Sequence, residues 1–557
     1  MSLNDSVFRF LILICSSLPS VSAGPIDRAE KVVLKNGLTV VLIPIPGSPV
    51  TSITAVVGAG VRNETSESNG ASHFLEHLLF NGTTTRTQKQ LYDETDLHGI
   101  YNNASTRADL TLFMMLVGKE HVDKALNIQG DMLYRSTIPS DKFEKERKIV
   151  LEEIARDAHR PANVAGEFHR SHAMKGTPYA REVLGSAESL GRIKREDVVA
   201  YYRRMYVPSN TKLMVMGDFD REDLLAKIAK EYQRKDSGMR AELPTIKLKL
   251  NGRILVKKEE KGFKRTYLHV TYHGPKPGDK DFAAASALSA VLDGRMKSRF
   301  QKPSAGIFSI DFSTDFNRDI GTLRMFVELS KEARVEKVTS EILGALEQPE
   351  SFRVSQAELK NLLNELAASE LFLSEKVHYY TFGKSGALAA GSLDFLRGFV
   401  PSLEALSPRQ VRNAGRKYLI NAPFVATAIG PGLGNATVAD LPRDETAKPL
   451  EGEAPLAKEA RVIEDTSDGL TVIVKHQPGS SVFAAHVLAQ NRCTAEPGGL
   501  DGIADFMHRL LIRGTRYRSA ERIQKDLSAI SAELKVTDSR FIPFDNYYFS
   551  EAYSYIR

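Results

Sequence analysis

Residues 70–83 read Gly-Ala-Ser-His-Phe-Leu-Glu-His-Leu-Leu-Phe-Asn-Gly-Thr, and this stretch decides the fold that we expect. Its large apolar residues have the spacing of a helix face that packs against a core: Phe74, Leu75, Leu78 and Leu79. Asn69 is a candidate N-cap, and Asn81-Gly82 is a typical stop signal. The stretch therefore predicts a short helix with one buried face.

The same helix carries a candidate metal site. His73 and His77 are four residues apart, and side chains at that spacing lie on one helix face about 5–6 Å apart. Zinc accepts imidazole nitrogen readily, so the pair is a candidate for two zinc ligands. Glu76 lies close enough to exchange protons with a zinc-bound water without being a ligand itself. The order His-x-x-Glu-His inverts the commoner His-Glu-x-x-His arrangement of zinc peptidases.

A third protein ligand is expected from a second helix. Asp141, with Glu144 three residues later, predicts a capping box, and the helix should end before Pro161. It carries three candidate carboxylates: Glu146, Glu152 and Glu153. Glu146 and Glu153 are seven residues apart and share a face, whereas Glu152 is rotated by about 100° from Glu153. Spacing alone does not choose between them.

The chain contains an internal repeat. Residues 36–83 align without a gap to residues 468–515, at a constant offset of 432. At that offset His73 becomes Asp505, Glu76 becomes His508 and His77 becomes Arg509. Because arginine cannot ligate zinc and would repel it, the second copy is expected to be catalytically inactive. It ends at Arg557 before any equivalent of the carboxylate helix, so either the chain is a fragment or its last domain is incomplete.

Strand and helix patterns alternate in an α+β arrangement. Strands are expected over 31–43 (with a turn at Asn36-Gly37), 51–60, 102–106 and 110–117, and a second αβ unit without obvious chemistry should begin near residue 245. We expect a catalytic domain at 24–240, a second and inactive αβ domain at 241–436, a linker at 437–460 and a partial degenerate repeat of the first domain at 461–557.

The first 23 residues have the pattern of a secretory signal peptide. Arg9 precedes the short apolar run 10–14, and Val21-Ser22-Ala23 is a small-residue cleavage site. Neither this run nor any later stretch approaches the roughly 20 apolar residues that span a bilayer, so stable membrane insertion is not expected. The pattern predicts a periplasmic or secreted protein, in which Cys493 would be the sole cysteine left.

Composition argues against nucleic-acid binding. Lysine and arginine total 75 of the 557 residues against 69 for aspartate and glutamate, without a basic block that could track phosphates. Residues 430–434 are glycine-rich but lack the Lys-Ser/Thr of a phosphate loop. Five further histidines share no ligand spacing with the helix and are expected to be surface or packing residues: His98, His121, His159, His169 and His172.

Taken together, the motifs resemble the inverzincin peptidases of the pitrilysin, insulin-degrading-enzyme and mitochondrial-processing-peptidase group. The matching segments are 70–83, 103–106, 146–153, Tyr179 with Leu184-Gly185, 206–210 and 217–219. In that family a glutamate 76 positions after the second histidine ligates zinc, which is Glu153 here, and a supporting glutamate one heptad earlier is Glu146. The resemblance also implies that Asn103 and Ala104 bind substrate backbone, and that two halves of paired αβ units close like a clamshell.

These observations predict a zinc-dependent endopeptidase that hydrolyses peptides or unfolded polypeptides. One Zn²⁺ per chain would be held by His73, His77 and Glu153, with Glu76 deprotonating the attacking water. A partner chain or a second copy is a candidate source of the missing half. Two alternatives remain: a non-catalytic scaffold or partner subunit of a two-chain peptidase, and a structural zinc site, which would need a fourth protein ligand.

Overall fold

The computed structural model describes residues 24–234, 244–374 and 376–450, and thereafter 461–467, 470–476, 487–490, 513–523 and 553–556 with a few single positions between 499 and 510. The chain divides into two compact units, residues 1–455 and 456–557. The predicted signal peptide, Cys493 and the repeat positions Asp505, His508 and Arg509 lie outside the described residues. In the part of the chain that is described, every helix is too short or too polar to cross a bilayer.

The first unit contains two six-stranded sheets. The first sheet has the spatial order β1-β2-β6-β3-β5-β4, in which only β2 and β6 are parallel. Its strands are β1 (Glu30–Val33), β2 (Thr39–Pro44), β3 (Val50–Val57), β4 (Tyr101–Thr106), β5 (Thr111–Gly118) and β6 (Thr211–Gly217).

The second sheet repeats this arrangement for five of its strands, whereas its sixth, the edge strand beside the parallel pair, comes last in sequence instead of first. Its order is β12-β7-β11-β8-β10-β9, again with one parallel pair, β7 with β11. Its strands are β7 (Arg253–Glu259), β8 (Arg265–Gly274), β9 (Ile307–Phe316), β10 (Gly321–Ser330), β11 (Phe424–Gly430) and β12 (Ala436–Val438). The edge strand β9 therefore occupies the place that β4 has in the first sheet.

Helices connect and cover the strands, which confirms the α+β class. Those before the second sheet are α1 (Ala71–Leu78), α2 (Gln88–Leu97), α3 (Val122–Arg135), α4 (Ser140–Ala158), α5 (Pro161–Ala173), α6 (Ala187–Arg192), α7 (Arg195–Met205) and α8 (Arg221–Glu231). Those that follow are α9 (Phe282–Phe300), α10 (Val335–Leu346), α11 (Gln356–Ser374), α12 (Val377–Ala390), α13 (Leu393–Glu404) and α14 (Pro408–Tyr418).

The two sheets exchange helices. Helix α5 packs on β8 and β11 of the second sheet, where the buried His169 ring contacts Thr271 Oγ1 at 2.7 Å and Thr427 Oγ1 at 3.0 Å. Helix α12 packs on β3, β5 and β6 of the first sheet, and its Thr381 hydroxyl lies 2.8 Å from that of Ser52. Because each sheet buries one face under a helix from the other half, the two halves form one compact unit.

A buried ion-pair network ties the first sheet to the second. Arg62, which follows β3 and is 8% exposed, pairs with Asp319 in the β9–β10 turn. Its guanidinium also donates to the hydroxyl of Tyr179 at 3.1 Å and to the carbonyl of Pro244 at 2.8 Å. Tyr179 in turn donates to Asp109 in the β4–β5 turn at 2.7 Å. The loop that leads to α1 is thereby fixed to the second half.

Replacing Arg62 with methionine is expected to destabilise the first unit by about 3–5 kcal/mol, because it leaves buried carboxylates without their cation. The thermal unfolding midpoint of the full chain, measured by calorimetry, checks this. Lys89→Met is the matched control, since it breaks an exposed pair with Asp93 and should change the midpoint little. Equal midpoints for the two variants would contradict a structural role for the network.

Part of the predicted linker is structured. Residues 439–450 follow β12, and Leu441 and Leu450 are buried in the core of the second sheet. The Leu450 backbone N–H also donates to the Ser351 hydroxyl at 2.7 Å. The low content of large apolar residues concealed this packing, because these two leucines suffice to anchor the segment.

The second unit contains local features of the repeat. Strands β13 (Arg461–Ser467) and β14 (Leu470–His476) form an antiparallel hairpin, and β14 covers the counterpart of β2 at the offset of 432. Strands β15 (Val487–Gln490) and β16 (Tyr553–Ile556) also pair. The isolated bridge between Gly82 and Thr87 recurs, at the same offset, between Gly514 and Ser519.

Candidate metal centre

Helix α1 begins at a tight junction rather than at the predicted cap. The N-cap residue is Gly70, and the Asn69 side chain does not cap the helix but donates to Glu64 and to the carbonyl of Glu182. The Glu64 carboxylate performs the capping, since it accepts the backbone N–H groups of Gly70 at 2.9 Å and Ser72 at 2.8 Å. The expectation for Asn69 was therefore wrong, because a carboxylate six residues before Gly70 reaches the same donors.

Two glycines allow the backbone to pass close to the start of α1. Gly70 has a φ of +96°, and a Cβ there would lie 2.7 Å from the carbonyl oxygen of Leu184. Gly185 has a φ of +75°, and a Cβ there would lie 2.6 Å from the carbonyl oxygen of Asn69. Because any side chain would separate the segments, this contact explains why both glycines belong to the motif segments.

Helix α4 packs against α1 through aromatic side chains. Phe74 and Phe143 have ring centroids 4.8 Å apart, and the Arg147 guanidinium lies 5.0 Å from the Phe143 centroid. Arg147 also donates to the backbone carbonyl of Ile193 at 2.8 Å. The helix starts at Ser140 with Pro139 as N-cap and no side-chain cap, so the predicted capping box at Asp141 is absent. Side-chain packing, not capping, sets the position of α4.

This packing brings the three candidate ligands together. Single donor atoms of His73, His77 and Glu153 all lie within 4.8 Å of one another. The Glu153 Oε2 atom is 3.7 Å from His73 Nε2 and 3.6 Å from His77 Nε2. Among the described residues this is the one group of three or more such side chains close enough to share a cation.

The donor set fits zinc. Two imidazole nitrogens and one carboxylate oxygen are a set that catalytic zinc sites use, with a water in the fourth position. In a tetrahedral site with bonds of about 2.0–2.1 Å, neighbouring donor atoms lie about 3.3 Å apart. The two distances to Glu153 exceed that value by a few tenths of an ångström, and all three donor atoms lie within 4.8 Å of one another, so side-chain rotations without backbone movement would complete the geometry.

Glu146 lies on the far side of the His77 ring. Its Oε2 is 3.4 Å from His77 Nδ1, whereas Nε2 of the same ring faces Glu153. A carboxylate at the second ring nitrogen fixes the tautomer that presents the other nitrogen to a metal. Glu146 is only 7% exposed, so water does not weaken this contact much. The geometry suits a residue that orients His77.

Replacing Glu146 with glutamine is expected to weaken zinc binding or kcat/KM by about 10- to 100-fold, the usual effect of losing such a partner. Competition with a chromogenic zinc chelator measures the affinity directly. Glu152→Gln on the same helix is the matched control, because Glu152 is exposed to solvent. An unchanged zinc affinity and unchanged kcat/KM in Glu146→Gln would contradict the orienting role.

The two histidines lie in different electrostatic surroundings. Burial and then the neighbouring His77 lower the pKa of His73 to about 4, so this ring is neutral at pH 7. Burial also opposes protonation of His77, but its contacts with Glu146 and Glu153 raise its pKa to about 9. A cation that binds His77 at neutral pH must displace a proton, and the same carboxylates that hold this proton favour the cation.

Glu76 faces the same space without joining the cluster. It is 9% exposed, and its Oε2 accepts a hydrogen bond from the Thr106 hydroxyl at the end of β4. Burial raises the pKa of Glu76, while the Thr106 hydrogen bond lowers it. A glutamate whose pKa lies above its ordinary range is better matched to accepting and returning a proton near neutral pH.

The predicted substrate-binding residues lie on an open sheet edge. Among the described strands β4 pairs only with β5, so its other side is the edge of the first sheet. Ala104 points its backbone N–H away from β5, where the Asn103 side-chain oxygen accepts it at 2.9 Å. This N–H is therefore available to a further strand that displaces the amide.

Sequence patterns did not single out several residues that build this site. Glu64, Thr106, Phe143 and Arg147 act through contacts between elements that are distant in the chain. Thr106 and Arg147 fell within recognised motif segments, but neither was expected to have a role of its own. Of the other histidines, His169 is a buried packing residue, as expected. The rings of His98 and His121 contact each other at a tilt of 53°, with centroids 4.8 Å apart, and neither residue belongs to the His73, His77 and Glu153 cluster.

Two family models match the first unit in succession. "Insulinase (Peptidase family M16)" matches residues 39–187, which include α1 and α4, and "Peptidase M16 inactive domain" matches residues 192–366. The first match contains every residue of the His73, His77 and Glu153 cluster. The second covers the end of the first sheet and most of the second.

Individual relatives support the same assignment. An uncharacterized zinc protease of Rickettsia felis is 28% identical over 62% of this chain and 84% of its own length. The probable mitochondrial-processing peptidase subunit beta of Schizosaccharomyces pombe is 33% identical over 37% of this chain and 45% of its own. A crystal structure of a protease from Helicobacter pylori shares the fold with a TM-score of 0.67 at 21% identity, covering 72% of this chain and 99% of its own.

Proposed function

We propose that this chain, which belongs to the insulinase (M16) family of peptidases, is a zinc-dependent endopeptidase that cleaves peptides or unfolded polypeptides. The observation that carries the proposal is the convergence of His73, His77 and Glu153 beside the buried Glu76. Three ligands of the type that zinc prefers, with a carboxylate next to them, are the components of metal-assisted hydrolysis.

The chain supplies the ligands, their orientation and a proton acceptor. His73, His77 and Glu153 would hold one zinc ion, which when bound supplies a Lewis acid and lowers the pKa of an attacking water. Glu146 holds the His77 ring through Nδ1. Glu76, steadied by Thr106, accepts the water proton and returns it to the amine of the departing peptide.

Substrate binding is proposed at the open edge of β4. An extended peptide that adds to a sheet edge gains backbone hydrogen bonds that do not depend on its sequence. The Ala104 N–H and the neighbouring Asn103 amide lie on this edge, and Thr106 on the same strand contacts Glu76. Strand β4 would therefore guide a peptide backbone towards the proton acceptor.

A non-catalytic scaffold is less well supported than a peptidase. A subunit that has lost catalysis has no need to keep two imidazoles, a ligand carboxylate, an orienting carboxylate and a buried proton acceptor in one place. Such a group of partly buried acids and bases costs folding free energy, so its presence favours the catalytic function.

Two further parts of the proposal concern location and partners. Export to the periplasm or secretion is supported by the signal-peptide pattern of residues 1–23. We also propose that this chain functions together with a partner chain or with a second copy of itself. One relative, whose name makes it a subunit of mitochondrial-processing peptidase, supports this.

Metal removal and replacement test the proposed function. The full chain, incubated with an unstructured quenched fluorescent peptide, is expected to cleave it, to lose activity with a zinc chelator and to regain it when zinc is returned. Addition of magnesium alone is the control and should restore nothing. Cleavage that persists after complete zinc removal would contradict the proposal.

A further inference from the structure

Strand β4 has two faces, and only one of them points towards the metal centre. Thr106 contacts Glu76, and Ala104 packs against the core that contains α1. Because side chains alternate along a strand, Tyr101 and Asn103 point to the opposite face. A peptide added to this edge would likewise present every second side chain to each face.

The opposite face is covered by helix α12. Met114, which pairs with Asn103 in the sheet, lies in a cluster against which Phe382 of α12 packs. Leu116, which pairs with Tyr101, packs against the core cluster that contains Tyr380 of α12. The start of α12 therefore forms a wall beside the edge strand, on the side away from the zinc ligands.

Where this wall meets β4, three rings form an aromatic surface: Tyr101, His378 and Tyr379. The Tyr101 and His378 ring centroids are 6.1 Å apart, and those of His378 and Tyr379 are 4.1 Å apart. Tyr101 is 48% exposed although its neighbours on β5 are largely buried. An exposed tyrosine beside further rings is a preferred contact for another aromatic side chain.

The Asn103 side chain links the aromatic surface to the open edge. Its oxygen accepts the Ala104 N–H at 2.9 Å, and its amide nitrogen lies 3.2 Å from the Tyr101 hydroxyl. A peptide carbonyl that pairs with Ala104 must displace this oxygen. When a peptide pairs with Ala104, the Asn103 side chain must therefore leave the Ala104 N–H, and its contact with the Tyr101 hydroxyl is broken as well. Both side chains are then free to contact the peptide side chain that lies beside them.

The aromatic surface is remote from the reacting bond. Tyr101 precedes Thr106 by five residues, which at about 3.4 Å per residue corresponds to about 17 Å along the strand. A peptide residue beside Tyr101 is thus about five positions away from the bond that lies next to Glu76. Contacts at such a distance affect which peptides bind without taking part in the chemistry.

We propose that Tyr101, His378 and Tyr379 form a subsite for an aromatic side chain of the peptide, about five residues from the cleaved bond. This rests on the proposed function, because it requires a peptide on the β4 edge. A cation borders the surface, because the Lys376 ammonium lies 5.6 Å from the Tyr379 ring centroid. The subsite therefore disfavours lysine and arginine and selects a neutral ring.

Peptide binding to the full chain with Glu76→Gln tests the subsite without cleavage. Fluorescently labelled unstructured peptides carry one phenylalanine that is moved one position at a time through an alanine–serine background. One position is expected to bind about two- to tenfold more tightly than the background peptide. Adding Tyr101→Ala should abolish this preference, whereas Tyr101→Phe, which keeps the ring, should retain it.

Val33→Ala is the matched control, because Val33 is an exposed apolar residue on β1, the opposite edge of the same sheet. This variant should keep the preference. Three outcomes would each overturn the subsite: no peptide binds, no phenylalanine position is preferred, or the preference survives Tyr101→Ala. A different outcome would overturn the proposed function alone. In that case the wild-type chain shows the Tyr101-dependent preference but, in the presence of zinc, cleaves none of the peptides that it binds.

Discussion

Replacing Glu76 with glutamine is expected to lower kcat by about 10²- to 10⁴-fold, because the amide cannot accept the proton that general base catalysis removes from water. Zinc binding should persist, since Glu76 is not one of the three side chains that share the cluster. The glutamine can still accept the Thr106 hydrogen bond through its carbonyl oxygen, so the local structure should be kept.

Single-turnover cleavage of a quenched peptide, together with zinc content on the same preparation, measures both parts of this prediction. Glu67→Gln provides a control, because Glu67 is an exposed glutamate in the loop before α1. Near-normal turnover in Glu76→Gln would remove Glu76 as the proton acceptor. A variant that loses its zinc would instead make Glu76 part of the metal site.

Replacing Glu153 with alanine is expected to weaken zinc binding by at least about 100-fold. The loss of a partner that only orients a ligand costs about 10- to 100-fold, and the loss of a ligand should cost more. It also leaves the two imidazoles without the anion that both Nε2 atoms face, at 3.6 and 3.7 Å. Peptidase activity should fall with zinc occupancy.

Glu152→Ala is the decisive control for this variant, because Glu152 is adjacent in sequence but exposed to solvent. It should keep both zinc and activity. Zinc affinity is measured by competition with a chelator at fixed pH, since protons compete for His77. Loss of zinc in Glu152→Ala but not in Glu153→Ala would show that Glu152, and not Glu153, is the zinc ligand.

The local part of the metal centre could be predicted from sequence. The four-residue spacing of His73 and His77 suffices, because the helical period alone places both rings on one face. The choice of Glu153 over Glu152 could not come from spacing, since it depends on how α4 is rotated against α1. That rotation is set by Phe74, Phe143 and Arg147, and only the family resemblance identified Glu153 in advance.

For the fold, too, local features could be predicted from sequence and tertiary contacts could not. The Asn36-Gly37 turn and the strands β4 and β5 follow from short-range patterns, and the structure confirms them. The exchange of α5 and α12 between the sheets was not predicted, because an apolar helix face does not specify which sheet it covers. Capping at α1 failed for a similar reason: Glu64 reaches its donors through the tertiary fold, which a search of the adjacent residues does not detect.

Zinc stoichiometry combined with X-ray absorption at the zinc edge, on the full chain after dialysis, tests the central claim most directly. We expect about one tightly bound zinc per chain, coordinated by two imidazole nitrogens and by oxygen, and its loss in Glu153→Ala. A wild-type chain that retains no zinc, or a spectrum with one imidazole or none, would contradict it.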